Sequence, residues 1–191
     1  MVYPEGTNAD WNFVTPGSPD EVFLRELIAA LQGRLMIDSQ RIYVTGISNG
    51  AEMAYELVCN VDVFAAAGFV AGAFPRAYPC LDTPVPAVGF HGTADNFLPY
   101  DGNAAFLPVL AWAQDLADHN GCTTGPSLSY QNGEVTGQSW SNCTQNAEVA
   151  FYTISGKGHT WPGSAMPPAS TTQDIDATDV IWAFFAAHAR P

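Results

Sequence analysis

A Gly-x-Ser-x-Gly run, Gly46-Ile47-Ser48-Asn49-Gly50, follows directly on the strand-like stretch Arg41-Ile42-Tyr43-Val44-Thr45. The residues after it, Ala51 to Asn60, carry Met53, Ala54, Leu57 and Val58 on one helical stripe. A strand that turns at once into a helix leaves room for one tight geometry, with the serine at the apex and its hydroxyl pushed clear of the sheet. The flanking glycines are expected because a side chain at either position would collide across so sharp a bend. Taken with its context, the run predicts a serine nucleophile.

The rest of the chain reads as a single α/β domain over residues 1–191, without repeats or long linkers. Ser18-Pro19-Asp20-Glu21 opens a helix, with a capping hydroxyl, a proline in the first turn and two carboxylates near the positive end of the helix dipole. Leu24, Leu27, Ile28, Leu31 and Leu35 follow at helical spacing. Strands are expected at 41–45, 66–71, 86–91 and 148–153, with helices at 51–60, about 104–120 and near the C-terminus. Strands alternating with helices predict a mostly parallel sheet flanked by helices, with ligands at the carboxyl ends of the strands.

Charge narrows the partners. Six Lys and Arg against 19 Asp and Glu give a formal net charge of −13, which repels nucleic acid and anionic lipid. Neutral or glycosidic substrates suit such a chain better than polyanions. Although 47% of the residues are apolar, no stretch approaches the ~18 consecutive apolar residues of a membrane span. No nucleic-acid partner, no membrane span, no metal and no organic cofactor are expected.

The four cysteines, Cys59, Cys80, Cys122 and Cys143, show no C-x-x-C spacing, so two disulfides are favoured over a zinc site. Neighbouring pairs, Cys59–Cys80 and Cys122–Cys143, are preferred among the three connectivities because each closes a local loop. Disulfides predict a secreted or periplasmic protein. The opening Met1-Val2-Tyr3-Pro4-Glu5 does not read as a signal peptide, so export is expected to rest on a leader outside this sequence.

A serine nucleophile needs a histidine base, and the base needs an acid to fix its tautomer. Of the four histidines, His119 and His188 fall on helices and His91 ends a buried strand, where packing and hydrogen bonding account for it. His159 lies in the Gly/Pro-punctuated loop Ser155-Gly156-Lys157-Gly158-His159-Thr160-Trp161-Pro162-Gly163, between the last strand and the last helix, and is the expected base. Asp95, just beyond strand 86–91, is the expected acid. Its rival Asp101 is assigned to capping the following helix, and Asp62, Asp82, Asp174 and Asp176 to turns and caps.

Three segments together, Gly46-Ile47-Ser48-Asn49-Gly50, His91-Gly92-Thr93-Ala94-Asp95 with Pro99-Tyr100-Asp101-Gly102, and Gly158-His159-Thr160-Trp161-Pro162-Gly163, resemble the polyhydroxybutyrate depolymerase and feruloyl esterase family. The similarity runs over nearly the whole chain; Ala51 and Lys157 depart from positions where relatives often have glycine. The resemblance implies an α/β-hydrolase fold, a Ser48, Asp95, His159 triad, and two disulfides at the four cysteine positions. It also implies hydrolysis of short-chain or hydroxycinnamoyl esters, with acetylated sugars and polyesters as further substrates. The N–H of Asn49, directly after the nucleophile, is the expected first oxyanion donor; Thr160 and Trp161, next to the expected base, are the expected substrate contacts, with Trp161 read equally as a stacking wall for an aromatic or sugar group and as a ring that pins its loop. Acyl transfer to an alcohol and non-catalytic carbohydrate or polyester binding are the competing readings.

Relatives in this family carry a further N-terminal segment whose His-Gly turn supplies the second oxyanion donor, and this sequence holds no counterpart. Thr7, Asn8 or Trp11, an ordered water or a second subunit are the expected substitutes. Without the strand of that segment, 41–45 becomes an open sheet edge. Either Met1 to Pro4 shifts in to pair with it, or two copies join there as a homodimer.

Overall fold

The computed structural model describes residues 1–13, 16–74 and 83–190. Among these, six strands form one mixed sheet in the order β1-β2-β3-β6-β5-β4. The strands are β1 (Tyr43–Ile47), β2 (Ala66–Val70), β3 (Ala87–Gly92), β4 (Thr124–Asn132), β5 (Val135–Ser141) and β6 (Val149–Ile154). β1, β2, β3 and β6 run parallel, as expected from strands separated by helices, and β5 and β4 extend the sheet antiparallel.

Alternation along the strands feeds two apolar layers. Phe69 and Phe151 face one side, where they pack with Met53 and Leu57 of α2 (Asn49–Asn60), Trp112 and Leu116 of α3 (Val109–His119), and Leu24 of α1 (Pro19–Gln32). Val70, Val88, Phe90 and Ile154 face the other side and meet Ile181 and Phe185 of α4 (Ala177–Ala187). β2 and β3, covered on both faces, are buried throughout. Each Å² of apolar surface that these layers take out of water contributes ~25 cal/mol to stability.

Helix starts follow the sequence signals. Ser18 Oγ accepts from the Glu21 N–H at 3.1 Å, with Pro19 in the first turn of α1. Asp176 caps α4 by accepting from Thr178 N–H. Two expectations fail. Leu35 lies past the end of α1 and is exposed, because the helix stops at Gln32. Asp101 caps no helix, because α3 begins only at Val109, after Pro108.

β1 is an edge strand among the described residues. Met1 to Pro4 lie exposed with no strand conformation, so they do not cover it. The C-terminal segment packs at the start of β1 and leaves its edge unpaired among the described residues: Tyr43 stacks on Phe185 with ring centroids 4.7 Å apart, its hydroxyl donates to His188 O, and Arg190 N–H donates to Gln40 O. No helix of the described residues is long and apolar enough to cross a membrane.

The β4–β5 hairpin was not expected. Its base is closed by the Cys122–Cys143 disulfide, one of the two neighbouring pairs the sequence favours. Cys59 is also disulfide-bonded, while Cys80 lies outside the described residues. The bond between Cys122 and Cys143 spans 21 residues, so the Cys122→Ser/Cys143→Ser double variant should lose about 3 kcal/mol of stability. Urea unfolding at neutral pH checks this; an unchanged midpoint contradicts a stabilising role.

Candidate active site

Ser48 sits between β1 and α2 with φ 56° and ψ −127°, a conformation that L-residues adopt only under constraint. The constraint is visible: Ser48 N–H donates to Val70 O on β2, while Ser48 O accepts from Ala51 N–H and Glu52 N–H at the start of α2. A Cβ on Gly46 would fall on the main chain of Gly50 and lie 2.8 Å from Ala51 N. That glycine is needed for the turn, as expected. Gly50 is not: a Cβ there would meet open space. The bend crowds its entry and not its exit.

The acid and the base arrive from neighbouring strands. β3 and β6 pair in register through His91↔Thr153 and Gly92↔Ile154. Beyond the strands the pairing continues: Thr93 N–H donates to Ile154 O, Ala94 N–H to Lys157 O, and Gly156 N–H to Thr93 Oγ1. Lys157, the departure from glycine, ties its ammonium to Pro168 O at 2.7 Å and Glu134 at 3.2 Å. These contacts bring the loop carrying Asp95 against the loop carrying His159.

Asp95 Oδ2 lies 2.7 Å from His159 Nδ1. A carboxylate only accepts, so Nδ1 carries the proton and Nε2 is left with its lone pair. Asp95 Oδ1 accepts from Phe97 N–H and Leu98 N–H, both at 2.9 Å. His91 Nε2 donates to Leu98 O at 2.8 Å and lies 3.4 Å from Asp95 Oδ2, so this buried histidine supports the acid loop. Burial by itself would push the Asp95 carboxyl up. Hydrogen bonds from His91, Leu98, His159 and Phe97 outweigh it and hold the group at about 2.

Asn49, the residue after the serine, opens α2, and helix geometry leaves its N–H without an intrahelical acceptor. Its side chain does something the sequence did not suggest. The amide clasps the main chain of Trp11, accepting from its N–H at 2.8 Å and donating to its carbonyl at 3.0 Å. The Trp11 N–H is therefore spent and is no substitute oxyanion donor. Trp161 donates its indole N–H to Thr178 Oγ1 and packs against the α4 side of the core, and its carbonyl accepts from Thr171 Oγ1. Thr160 Oγ1 donates to Ser170 O at 3.3 Å. Both side chains hold their loop in place. The exposed aromatic ring at this site is Phe97, which the sequence reading passed over; its centroid lies 5.3 Å from that of His159.

No family model matches the chain. A feruloyl esterase C of Emericella nidulans is 28% identical over 191 residues, and a probable feruloyl esterase C of Aspergillus clavatus is 26% identical over 193. Each alignment covers 98% of this chain and 64% of the relative. Feruloyl esterase B of Piromyces equi is 29% identical over 157 residues, 73% of this chain and 28% of that one. By sequence, the chain is a homologue of the feruloyl esterases. It spans less than two thirds of the length of these relatives. Among solved structures, an acetyl xylan esterase from Aspergillus awamori superimposes with a TM-score of 0.63 at 14% identity, covering 95% of this chain and 74% of that one. The esterase PE8 gives 0.55 at 16% identity, covering 88% and 60%. The fold of this feruloyl esterase homologue is therefore that of the α/β-hydrolases.

Two predictions follow from the geometry. Gly46→Ala should prevent or strongly impair folding, whereas Gly50→Ala, inside α2 with room for its methyl group, should leave stability equal or higher by about 0.5–1 kcal/mol. Thermal melts of the two variants decide it, and a Gly50→Ala as damaging as Gly46→Ala contradicts the asymmetry. The second concerns acid. Asp95 falls from an ordinary 3.8 to about 2, so its stabilisation is present above pH ~4–5 and is lost as pH falls through 2. Across that window the stability difference between wild type and Asp95→Asn should shrink by on the order of 2 kcal/mol. A constant difference in urea titrations contradicts it.

Proposed function

We propose that the chain is a serine carboxylic ester hydrolase, with Ser48 as nucleophile, His159 as base and Asp95 as the group that orients it. The observation that carries this reading is the 2.7 Å contact between Asp95 and His159 Nδ1, formed at the same sheet end as the constrained turn at Ser48. Ser48 Oγ attacks the ester carbonyl while His159 Nε2 takes its proton. The Asn49 N–H receives the developing oxyanion. As the carbon–oxygen bond breaks, the imidazolium returns the proton to the departing alcohol. Water then attacks the acyl-enzyme, giving its proton to His159, and the acid leaves as Ser48 is restored.

The names of the relatives favour feruloyl esters, and short-chain acyl esters belong to the same reading. The excess of carboxylates, a formal −13, favours neutral esters, including those of carbohydrates, over anionic ones. The Cys122–Cys143 disulfide supports a secreted or periplasmic setting. The open edge of β1 is where a second copy of the chain would pair.

Purified protein should hydrolyse methyl ferulate or p-nitrophenyl acetate and butyrate, and Ser48→Ala should lower kcat by about 10⁴-fold or more. Equal rates in wild type and variant, or no turnover by a folded sample, would overturn the reading.

A further inference from the structure

We propose that Lys157 is a positioning residue for His159: its ammonium closes the neck of the loop that presents the base, so that the imidazole keeps its contact with Asp95. For what the imidazole then does, this inference rests on the hydrolase reading above; what it adds is how this chain holds the ring.

His159 lies on a stretch with few ties of its own. Among the described residues, Gly158, His159 and Thr160 make no main-chain to main-chain hydrogen bond. The stretch is fastened at its two ends instead. On the far side, Thr160 Oγ1 donates to Ser170 O, Thr171 Oγ1 to Trp161 O, and Gly163 N–H to Thr172 O. On the near side the tie is Lys157, whose carbonyl accepts from Ala94 N–H at 2.9 Å, one residue before the acid. The fit there is close: a Cβ on Gly92, at the end of β3, would fall on Lys157 O.

A lysine on a surface loop ordinarily extends its ammonium into water. That of Lys157 turns inward, with 17% of the side chain exposed. Nζ donates to Pro168 O at 2.7 Å and lies 3.2 Å from Glu134 Oε1. Pro168 stands 11 residues on in the chain, next to the far ties at Ser170 to Thr172. The bond therefore closes the loop on itself, with His159 inside the ring. Glu134 comes from the turn between β4 and β5 and is itself fixed: its N–H donates to Asp174 Oδ2, and its carbonyl accepts from Ser155 N–H. One ammonium thus joins both limbs of the base loop to the hairpin. Because the donor is a cation, the bond to Pro168 O is stronger than a neutral pair would make. Unlike Gly156 at φ 72°, Lys157 does not lie in the left-handed region, so a side chain is carried here without strain.

The test is Lys157→Met, which keeps the apolar stem and removes the ammonium. It is read in two ways on folded samples. Long-range proton–nitrogen NMR spectra, observed through the carbon-bound ring protons, give the tautomer of neutral His159, with His159→Ala assigning the signals. Turnover of p-nitrophenyl acetate gives kcat and KM separately. Wild type should carry its proton on Nδ1 alone. Lys157→Met should show both tautomers and a kcat about tenfold lower at unchanged KM, as expected for losing one hydrogen bond to a charged group. Lys157→Arg, which offers donors to the same two acceptors, should restore both readings. A wild-type tautomer or a wild-type kcat in Lys157→Met overturns the inference, as does a change confined to KM or found equally in Lys157→Arg. If wild-type protein turns over no ester, the hydrolase reading falls, and the tautomer of His159 in Lys157→Met alone upholds or overturns the role of Lys157.

Discussion

The carboxylate of Asp95 has four partners, and each fixes a different part of the site. Oδ2 holds His159 Nδ1 at 2.7 Å and lies 3.4 Å from His91 Nε2, while Oδ1 accepts the main-chain N–H groups of Phe97 and Leu98. A buried charge is costly unless its lone pairs are satisfied, and here three N–H groups donate to it while the His91 imidazole lies 3.4 Å away. Removing the carboxylate would release the imidazole and unmake the turn at Phe97–Leu98. The site is organised around an acid that, in the proposed reaction, never touches substrate.

Such an acid can be placed only because the sheet brings its loop to the right neighbour. β3 and β6 are adjacent and in register, and hydrogen bonding continues past their ends from Thr93 to Lys157. The serine turn lies two strands away, anchored to β2 through Val70 O. Its unusual φ and ψ are held by main-chain bonds on both sides, so the strain is met by the same strands and helix that build the core. Burial of Phe69, Phe90 and Phe151 on the two faces thereby fixes the positions of loops that contain few apolar residues of their own.

Much of this was legible in the sequence because it rests on local rules. The turn at Ser48, the caps at Ser18 and Asp176 and the parallel strands each carry a signature in consecutive residues. The hairpin at 124–141 was not read because β4 is exposed almost throughout and offers no apolar alternation, and Pro126 within it argues against a strand. Only Gly133, at φ 50° in the two-residue turn Gly133-Glu134, marked the hairpin. The freedom of Gly50, the clasp between Asn49 and Trp11 and the placement of Phe97 depend on contacts across 38 residues or on space that no linear pattern records.

The central claim is that Asp95 and His159 activate Ser48 in particular. Stoichiometric treatment with diethyl 4-nitrophenyl phosphate, followed by peptide mass spectrometry, tests it without reference to any natural substrate. The account predicts a single diethylphosphoryl adduct on Ser48, formed rapidly by wild type and far more slowly by His159→Ala and Asp95→Asn. Adducts spread over several hydroxyls, or a Ser48 that reacts equally in all three proteins, would contradict it.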